Sequence, residues 1–458
     1  MRAPPSHIFR QYDIRGVVGP DVDEQIAEGI GRAFASLAQR RLGEQVRLAL
    51  GRDNRLTSDE LARAVARGMT AAGADVIDVG TVPTPVLSFA TATLGVQGGL
   101  QVTGSHNPPE YNGFKMTLQG GSLYGDAIQE LRRMIEEEDF AAGDGAVERR
   151  EIISDYISAV TDRVSVERPI RVVVDCGNGS GSLVAVDLLR ALGDQVDVDP
   201  LFCDSDGTFP NHHPDPVVDA NLRHLIDRVR ETGADVGIAF DGDADRIGAV
   251  DERGEIVRGD TLLLLYALDL LERRGDGQKI VFDVKCSQQL PEVLERAGGV
   301  PIMSQTGHSL IKERMKREGA PLAGELSGHI MFADDYYGFD DALYGAALLV
   351  SILSRREGSL SDWTGEFPHF VSTSEIRYPS TEEEKWRVVA DATEHFGGRY
   401  DTVEVDGVRI LFGDGWGLIR ASNTEPSLVA RYEARSEERL AEIRGEVEGW
   451  LADRGVAV

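Results

Sequence analysis

The sequence predicts three related α/β domains with mixed sheets, followed by a C-terminal α+β domain, arranged around a central cleft. Three observations predict this: the length of the chain, a strand–helix–strand pattern that recurs three times, and a change of pattern near residue 364. At 458 residues the chain exceeds the roughly 250–300 residues at which a single hydrophobic core stops growing, so three or four domains are expected. Apolar residues at 41% and charged residues at 27% sit close to soluble globular norms, so the whole chain is expected to fold.

The recurring unit is an apolar, β-branched run, a short polar or glycine-containing turn, an amphipathic helix and a second strand introduced by glycine. The first copy has VRLALG (46–51), a helix after Thr57 whose TSDE reads as a capping box, and GADVIDVG (73–80). In the second, IRVVVDCGNG (170–179) is followed by SLVAVDLLRALG and by QVDVD (195–199). KIVFDVKC (279–286), QLPEVLERAGG and VPIMSQTG (300–307) make the third. Continuous apolar strands alternating with helices indicate sheets covered on both faces. Past residue 364 come a capped helix in TEEEKWRVVADATEHF, strands in TVEVDGVRILF and GWGLIRAS, and a helix in SEERLAEIRGEVEGWL. That last helix places Leu440, Ile443, Val447 and Leu451 on one face. The expected domains are therefore 1–148, 149–251, 252–363 and 364–458, packed together because no low-complexity linker separates them.

A formal charge of −29 argues against a nucleic-acid partner, because phosphate-backbone binding needs a basic face. No run approaches the ~20 apolar residues of a membrane helix, and MRAPPSHIFRQYDIRG lacks the apolar core of a signal peptide, so a cytoplasmic protein is expected. Cys176, Cys203 and Cys286 are odd in number and form no CxxC. They read as buried, inert thiols rather than a disulfide frame or zinc site.

Five segments carry candidate chemistry. In TGSHNPPEYNGFK (103–115), paired prolines and Asn112-Gly113 signal a turn. The doubling back brings Lys115 toward Ser105, which has His106 beside it. A phosphoryl group carried on Ser105 would find cations there, and a plain side-chain-stabilised loop is the alternative. The apolar strand VGIAF ends in DGDADR, with Asp241, Asp243 and Asp245 at alternate positions. Three carboxylates converging in a tight loop repel unless a hard cation is present, and oxygen-only ligands suit Mg²⁺, with Arg246 following to balance the group. The same aspartates with Glu252 match positions 1, 3, 5 and 12 of an EF-hand, but Arg246 stands where that loop needs glycine and the flanks read as strands. An acidic turn without metal is the remaining alternative.

In GELSGHI (324–330), Glu325, Ser327 and His329 alternate, so an extended backbone would send all three to one face. Carboxylate and hydroxyl could pair with vicinal sugar hydroxyls and the imidazole could accept a proton, or the segment is an ordinary polar loop. RASNTEP (420–426) gathers Arg420, Ser422, Asn423 and Thr424 after a strand, a phosphate cradle or a strand-end turn. Lys285 at a strand end, His308 in a GHS turn, and Tyr12 and Arg15 of FRQYDIRG complete the candidates. Read singly, Lys285 is a solvated surface group, His308 a core packing residue and FRQYDIRG a polar strand.

Taken in order, FRQYDIRG, TGSHNP, DGDADR, GELSGH and RASNTEP resemble the α-D-phosphohexomutase superfamily, most closely the bacterial phosphomannomutase/phosphoglucomutase group, over essentially the whole chain. The resemblance implies an enzyme that interconverts hexose 1-phosphates and hexose 6-phosphates of mannose and glucose. Phosphorylated Ser105 would be the carrier, and a 1,6-bisphosphate such as glucose 1,6-bisphosphate the intermediate and activator. It further implies Mg²⁺ held by Ser105, Asp241, Asp243 and Asp245, with Arg15, Lys115 and Arg246 around the transferring group and His329 as general base. Glu325 and Ser327 would hold sugar hydroxyls, Arg420, Ser422, Asn423 and Thr424 the other phosphate, and Tyr12, Lys285 and His308 further parts of the substrate. A monomer or homodimer is expected. Phosphoglucosamine mutases typically show GEQSGH and an RPSGTEP-like loop, whereas this chain has Leu326 and Asn423; Glu425 departs from the usual RASNTxP. In another class, a sugar-phosphate phosphatase would use the same cluster on water, and a sugar-phosphate sensor would bind without turnover.

Overall fold

The computed structural model describes residues 4–43, 45–423 and 425–458. It divides into two compact units, Met1–Leu262 with Ser327–Trp363, and Leu263–Leu326 with Thr364–Val458.

Two sheets build the first unit. In one, the strand Arg47–Arg52 lies parallel to Asp75–Thr81 and to Gly98–Val102, while Tyr111–Leu118 runs antiparallel to both Gly98–Val102 and Ile14–Val17. Its helices Glu24–Leu42, Ser58–Ala71 and Asp126–Glu136 contribute Ile30, Phe34, Val65, Leu131 and their neighbours to one apolar core. The second sheet places Ile170–Asp175 between parallel partners Val196–Leu201 and Val236–Phe240, and the last of these turns back antiparallel as Ile247–Asp251.

Within the second unit, Lys279–Asp283 lies between the parallel strands Val300–Ser304 and Leu322–Gly324. A separate antiparallel sheet is centred on Gly415–Ala421 and Ser427–Ala434. The helices Glu382–Gly397 and Glu437–Ala452 pack on it, with Leu440, Ile443, Val447 and Leu451 buried in its core. The expected α/β units with mixed sheets and the α+β C-terminal region are therefore present. Each of the three echoes is a strand, a helix and a parallel second strand, and the C-terminal region is α+β.

Three local expectations are corrected. The TSDE capping box does not form: Thr57 has helical dihedrals and makes no side-chain cap bond. Its hydroxyl instead accepts from Asn112 Nδ2 at 2.9 Å, because the sheet brings Asn112 over the helix start. Asn112-Gly113 is not the turn but lies inside the strand Tyr111–Leu118. A Cβ at Gly113 would sit 2.4 Å from the Ile14 carbonyl oxygen, so the glycine serves strand approach and the reversal falls earlier, at 104–110. The backbone of 325–328 turns instead of running extended, with Gly328 at φ +90°.

The cysteines are free, Cys176 and Cys286 buried and Cys203 half-buried. The adjacent parallel strands Ile170–Asp175 and Val196–Leu201 end just before Cys176 and Cys203 and bring those two sulfurs to 3.0 Å. The hydrogen bond from Cys203, then burial, pushes the Cys176 thiol well above its ordinary range. Among the described residues, no helix is long and apolar enough to cross a membrane.

Candidate active site

In the first unit, Gly98–Val102 delivers the chain into the serine loop, and the return strand sets Lys115 opposite Gln101. Ser105 is buried and has φ +49°, a left-handed conformation uncommon outside glycine. Its N–H donates to Thr103 Oγ1 at 2.8 Å, and its hydroxyl donates to Asp241 Oδ2 at 3.0 Å and lies 3.2 Å from His106 Nδ1. Burial, then the charges of Arg246, Arg15 and Lys115, pushes His106 well below the usual imidazole range.

The hairpin of Val236–Phe240 and Ile247–Asp251 carries the aspartates in its turn, where Ala244 is left-handed at φ +57°. Asp241, Asp243 and Asp245 are all fully buried, each with an oxygen within 4.8 Å of the others. Asp241 Oδ1 accepts from the N–H groups of Asp245 and Arg246, each at 3.1 Å. Asp243 Oδ2 accepts from Thr84 Oγ1 at 2.6 Å, Thr103 Oγ1 at 3.2 Å and Lys115 Nζ at 2.7 Å. Lys115 Nζ also reaches Asp245 Oδ2 at 2.5 Å.

This arrangement splits the carboxylates electrostatically. Burial, then repulsion from Asp245 and Asp243, pushes Asp241 well above the ordinary range. Burial acts the same way on Asp243, but the charge and hydrogen bond of Lys115, helped by Thr84, hold it below that range. Burial opposes the charge on Lys115, and the aspartates outweigh it and raise that group.

Asp243 Oδ1 and Asp245 Oδ1 are buried and make no hydrogen bond. A buried carboxylate oxygen left without a donor is costly, and a divalent cation with a preference for oxygen would satisfy both at once. These acidic residues fit a metal ion.

Arg246 Nε donates to His329 Nε2 at 3.0 Å, which puts the ring proton on Nδ1. Nδ1 lies 3.1 Å from Asp340 Oδ2 and 3.7 Å from Asp245 Oδ1. Arg15, on the strand Ile14–Val17, bonds the side-chain oxygens of Asp13 and Asn107, and Asn107 belongs to the serine loop. Tyr12 is half-buried in the bend before that strand, and Ser327 is half-buried in its turn.

In the second unit, Lys285 is buried after the strand Lys279–Asp283, with Nζ 3.4 Å from Glu375 and 3.8 Å from Asp283. It is not the solvated surface group that its position alone suggested. Arg420 lies in the buried strand Gly415–Ala421 and donates from Nε to Asp406 Oδ2 at 2.9 Å; the same oxygen accepts from the Thr306 N–H at 3.0 Å. Ser422 is buried, its Oγ accepts from the Glu425 N–H at 3.2 Å, and its carbonyl accepts from Lys385 Nζ at 2.8 Å. Asn423 is half-buried, and Thr424 lies outside the described residues. Glu325 is buried and accepts from the Gly307 N–H at 2.7 Å. His308 is half-buried at the first turn of the helix His308–Glu318 rather than packed in a core.

The four phosphoglucomutase/phosphomannomutase domain families match in order: α/β/α domain I over residues 6–142, domain II over 154–254, domain III over 258–370 and the C-terminal domain over 375–449. The chain is 46% identical over 441 residues to a Pseudomonas aeruginosa protein named phosphomannomutase/phosphoglucomutase, covering 96% of this chain and 94% of that one. The chain belongs to the phosphoglucomutase/phosphomannomutase family. A Neisseria meningitidis protein named phosphoglucomutase is 44% identical over 444 residues, covering 96% and 95% of the two chains. The crystal structure of a phosphoglucomutase/phosphomannomutase family protein from Burkholderia thailandensis superposes with a TM-score of 0.93 at 42% identity over 99% of both chains. The fold is that of a phosphohexomutase.

Several supporting residues in each unit are not marked by the sequence pattern. Thr84 and Thr103 brace Asp243, Asp340 backs His329, and Asp406 and Glu375 pair with Arg420 and Lys285. Thr84 carried a faint signal in TVPTP, a helix start after a strand. Asp340, Asp406 and Glu375 sit in stretches with no pattern of their own.

Proposed function

We propose that this chain moves a phosphoryl group between the 1- and 6-hydroxyls of glucose and mannose phosphates by way of Ser105. One observation carries the reading: a buried hydroxyl 3.0 Å from the nearest of three buried carboxylates, with an ammonium bonded to the other two.

Asp241, Asp243 and Asp245, with the oxygen on Ser105, would hold Mg²⁺. When bound, that ion supplies charge stabilisation to the phosphoryl oxygens. The rest is done by the chain's own side chains. Lys115, Arg246 and Arg15 offer cationic donors around the group in transit, where charge spreads over its oxygens. Once Arg246 turns to the phosphate, the lone pair of His329 Nε2 is free to take the proton of the attacking sugar hydroxyl, while Nδ1 keeps its proton toward Asp340. The phosphoryl group passes from Ser105 to that hydroxyl and gives the 1,6-bisphosphate. The opposite phosphate of the bisphosphate then returns to Ser105. Burial of Ser105 supports the exclusion of water that would otherwise hydrolyse the phosphoenzyme.

By family resemblance, Glu325 and Ser327 hold sugar hydroxyls, and Arg420, Ser422, Asn423 and Thr424 hold the phosphate that is not reacting. Tyr12, Lys285 and His308 complete substrate contact. Glucose and mannose differ at carbon 2, so a grip on the 3- and 4-hydroxyls admits both. Domain boundaries near 148, 251 and 363 are part of the same reading.

Intact mass before and after glucose 1,6-bisphosphate, with conversion of glucose 1-phosphate to glucose 6-phosphate, tests the reading. Wild type gains one phosphate and turns over, while Ser105→Ala gains none and loses turnover by orders of magnitude yet binds substrate. A phosphate that persists in Ser105→Ala refutes the carrier. Stoichiometric inorganic phosphate without glucose 6-phosphate makes the protein a phosphatase.

A further inference from the structure

The serine loop is wrapped around a side chain that none of the roles above uses. Arg55 follows the strand Arg47–Arg52 and is 2% exposed. A guanidinium has five N–H donors in a planar fork, and here the protein itself takes up all of them. Nε donates to Asp53 Oδ2 at 3.1 Å. Nη1 donates to the carbonyls of Pro108 and Tyr111 at 2.6 and 3.1 Å, and Nη2 to those of Ser105 and Asn107 at 2.7 and 2.5 Å. Four carbonyl oxygens from one short loop thus point inward at one cation. Without it, their dipoles would oppose one another in a buried place.

Neighbouring groups are built to admit this cation. A Cβ at Gly104 would lie 2.5 Å from both Cζ and Nε of Arg55, so only glycine lets the loop close on the guanidinium plane. Asp53 balances the charge and also accepts from the Gly104 N–H at 3.1 Å. The Phe209 ring covers the guanidinium at 5.0 Å.

The consequence falls on Ser105. A non-glycine residue at φ +49° persists only where its surroundings over-determine it. Arg55 Nη2 fixes the carbonyl of Ser105 and Thr103 Oγ1 fixes its N–H. With both flanking peptide planes set, the direction of the Cα–Cβ bond is set, and from that position the hydroxyl reaches Asp241.

We propose that Arg55 is the positioning residue of the phosphoryl carrier, holding Ser105 in its left-handed conformation so that the hydroxyl faces the aspartate loop. This rests on Ser105 being the carrier. Because every N–H of Arg55 is spent on the protein, it has none for a phosphate, and its loss should act on turnover rather than on substrate affinity. Lysine cannot replace it, since a compact ammonium with three donors cannot span the four carbonyls.

The test uses full-length wild type, Arg55→Lys and Gly104→Ala, the second displacing the guanidinium without removing a charge. Phosphate taken up from glucose 1,6-bisphosphate is measured by intact mass, kcat is expressed per phosphorylated site, and KM and hydrogen exchange of the 104–111 amides are followed. Both variants are expected to keep KM within about twofold and lose about 100-fold in kcat per phosphorylated site, the scale of a misplaced reacting group. Faster exchange should be confined to 104–111. Unchanged kcat per phosphorylated site in either folded variant overturns the proposal, as does accelerated exchange throughout the sheet with kcat per site preserved. A wild type that takes no phosphate at Ser105 instead overturns the carrier reading beneath it.

Discussion

The cations of the aspartate loop and those of the Arg420 loop are both neutralised before any ligand arrives, but by acids of different kinds. Lys115 is held by Asp243 and Asp245, whose other oxygens are buried without hydrogen bonds. Arg420 and Lys285 are held by Asp406 and Glu375, and Asp406 is itself tied to the backbone at Thr306. In the first region the cation stands among groups that fit a metal ion, so charge balance and chemistry share the same atoms. In the second, Arg420 and Lys285 are balanced by acids of the same unit, and in the proposed cycle these pairs would open to receive the phosphate that is not reacting. Substitutions in the first region should therefore damage rate and stability together, whereas those in the second should damage affinity alone.

The sharpest test of that contrast is Lys115→Met. Turnover is expected to fall about 10³-fold, the scale of removing a preorganised charge from a reacting centre. In chelator, the unfolding of the unit that carries it should lose about 3–5 kcal/mol, because a buried acid group is left uncompensated. Added Mg²⁺ should recover much of this in denaturant titrations, and an equal loss with and without Mg²⁺ would dissolve the distinction. Next in size, Asp245→Asn should weaken Mg²⁺ binding by about 10–100-fold in calorimetry, and chelation of the wild type should abolish turnover.

Arg420→Ala should raise KM about 10–50-fold through loss of a charge-assisted contact, with kcat within about threefold. A fall in kcat as large as that for Lys115→Met would erase the difference between the regions. The smallest effect concerns the framework behind the aspartate loop. Burial opposes protonation of His212, but its 3.0 Å contact with Asp175 outweighs this and raises the group above the usual imidazole range. A raised folded-state pKa adds stability that is complete below the unfolded value and fades as pH rises through the folded one. The thermal deficit of His212→Gln should thus be largest near pH 5.5 and shrink above neutrality.

What could be read from the sequence follows from where information is stored. The three echoes were legible because continuous runs such as IRVVVD and KIVFD admit one buried environment. DGDADR was legible because three acids set between two apolar strands must crowd into one turn, and the hairpin found there also disposes of the EF-hand. Asn112-Gly113 misled because turn propensity is local, while the need for close approach to Ile14 comes from a strand nearly a hundred residues away. Arg55 was invisible for a related reason: four of its five N–H groups go to main-chain carbonyls, which leave no mark in side-chain pattern. Asp406 and Glu375 likewise gain meaning only from cations distant in the chain.

The hydroxyl of Ser105 donates a hydrogen bond to Asp241. In the proposed cycle a phosphate ester at that oxygen would have no hydrogen to donate, so charging Ser105 would turn a soothing neighbour of Asp241 into a crowding one. Loading the enzyme with phosphate should therefore sharpen its hunger for a divalent ion, and unloading should ease it, so that occupancy of the two rises and falls in step.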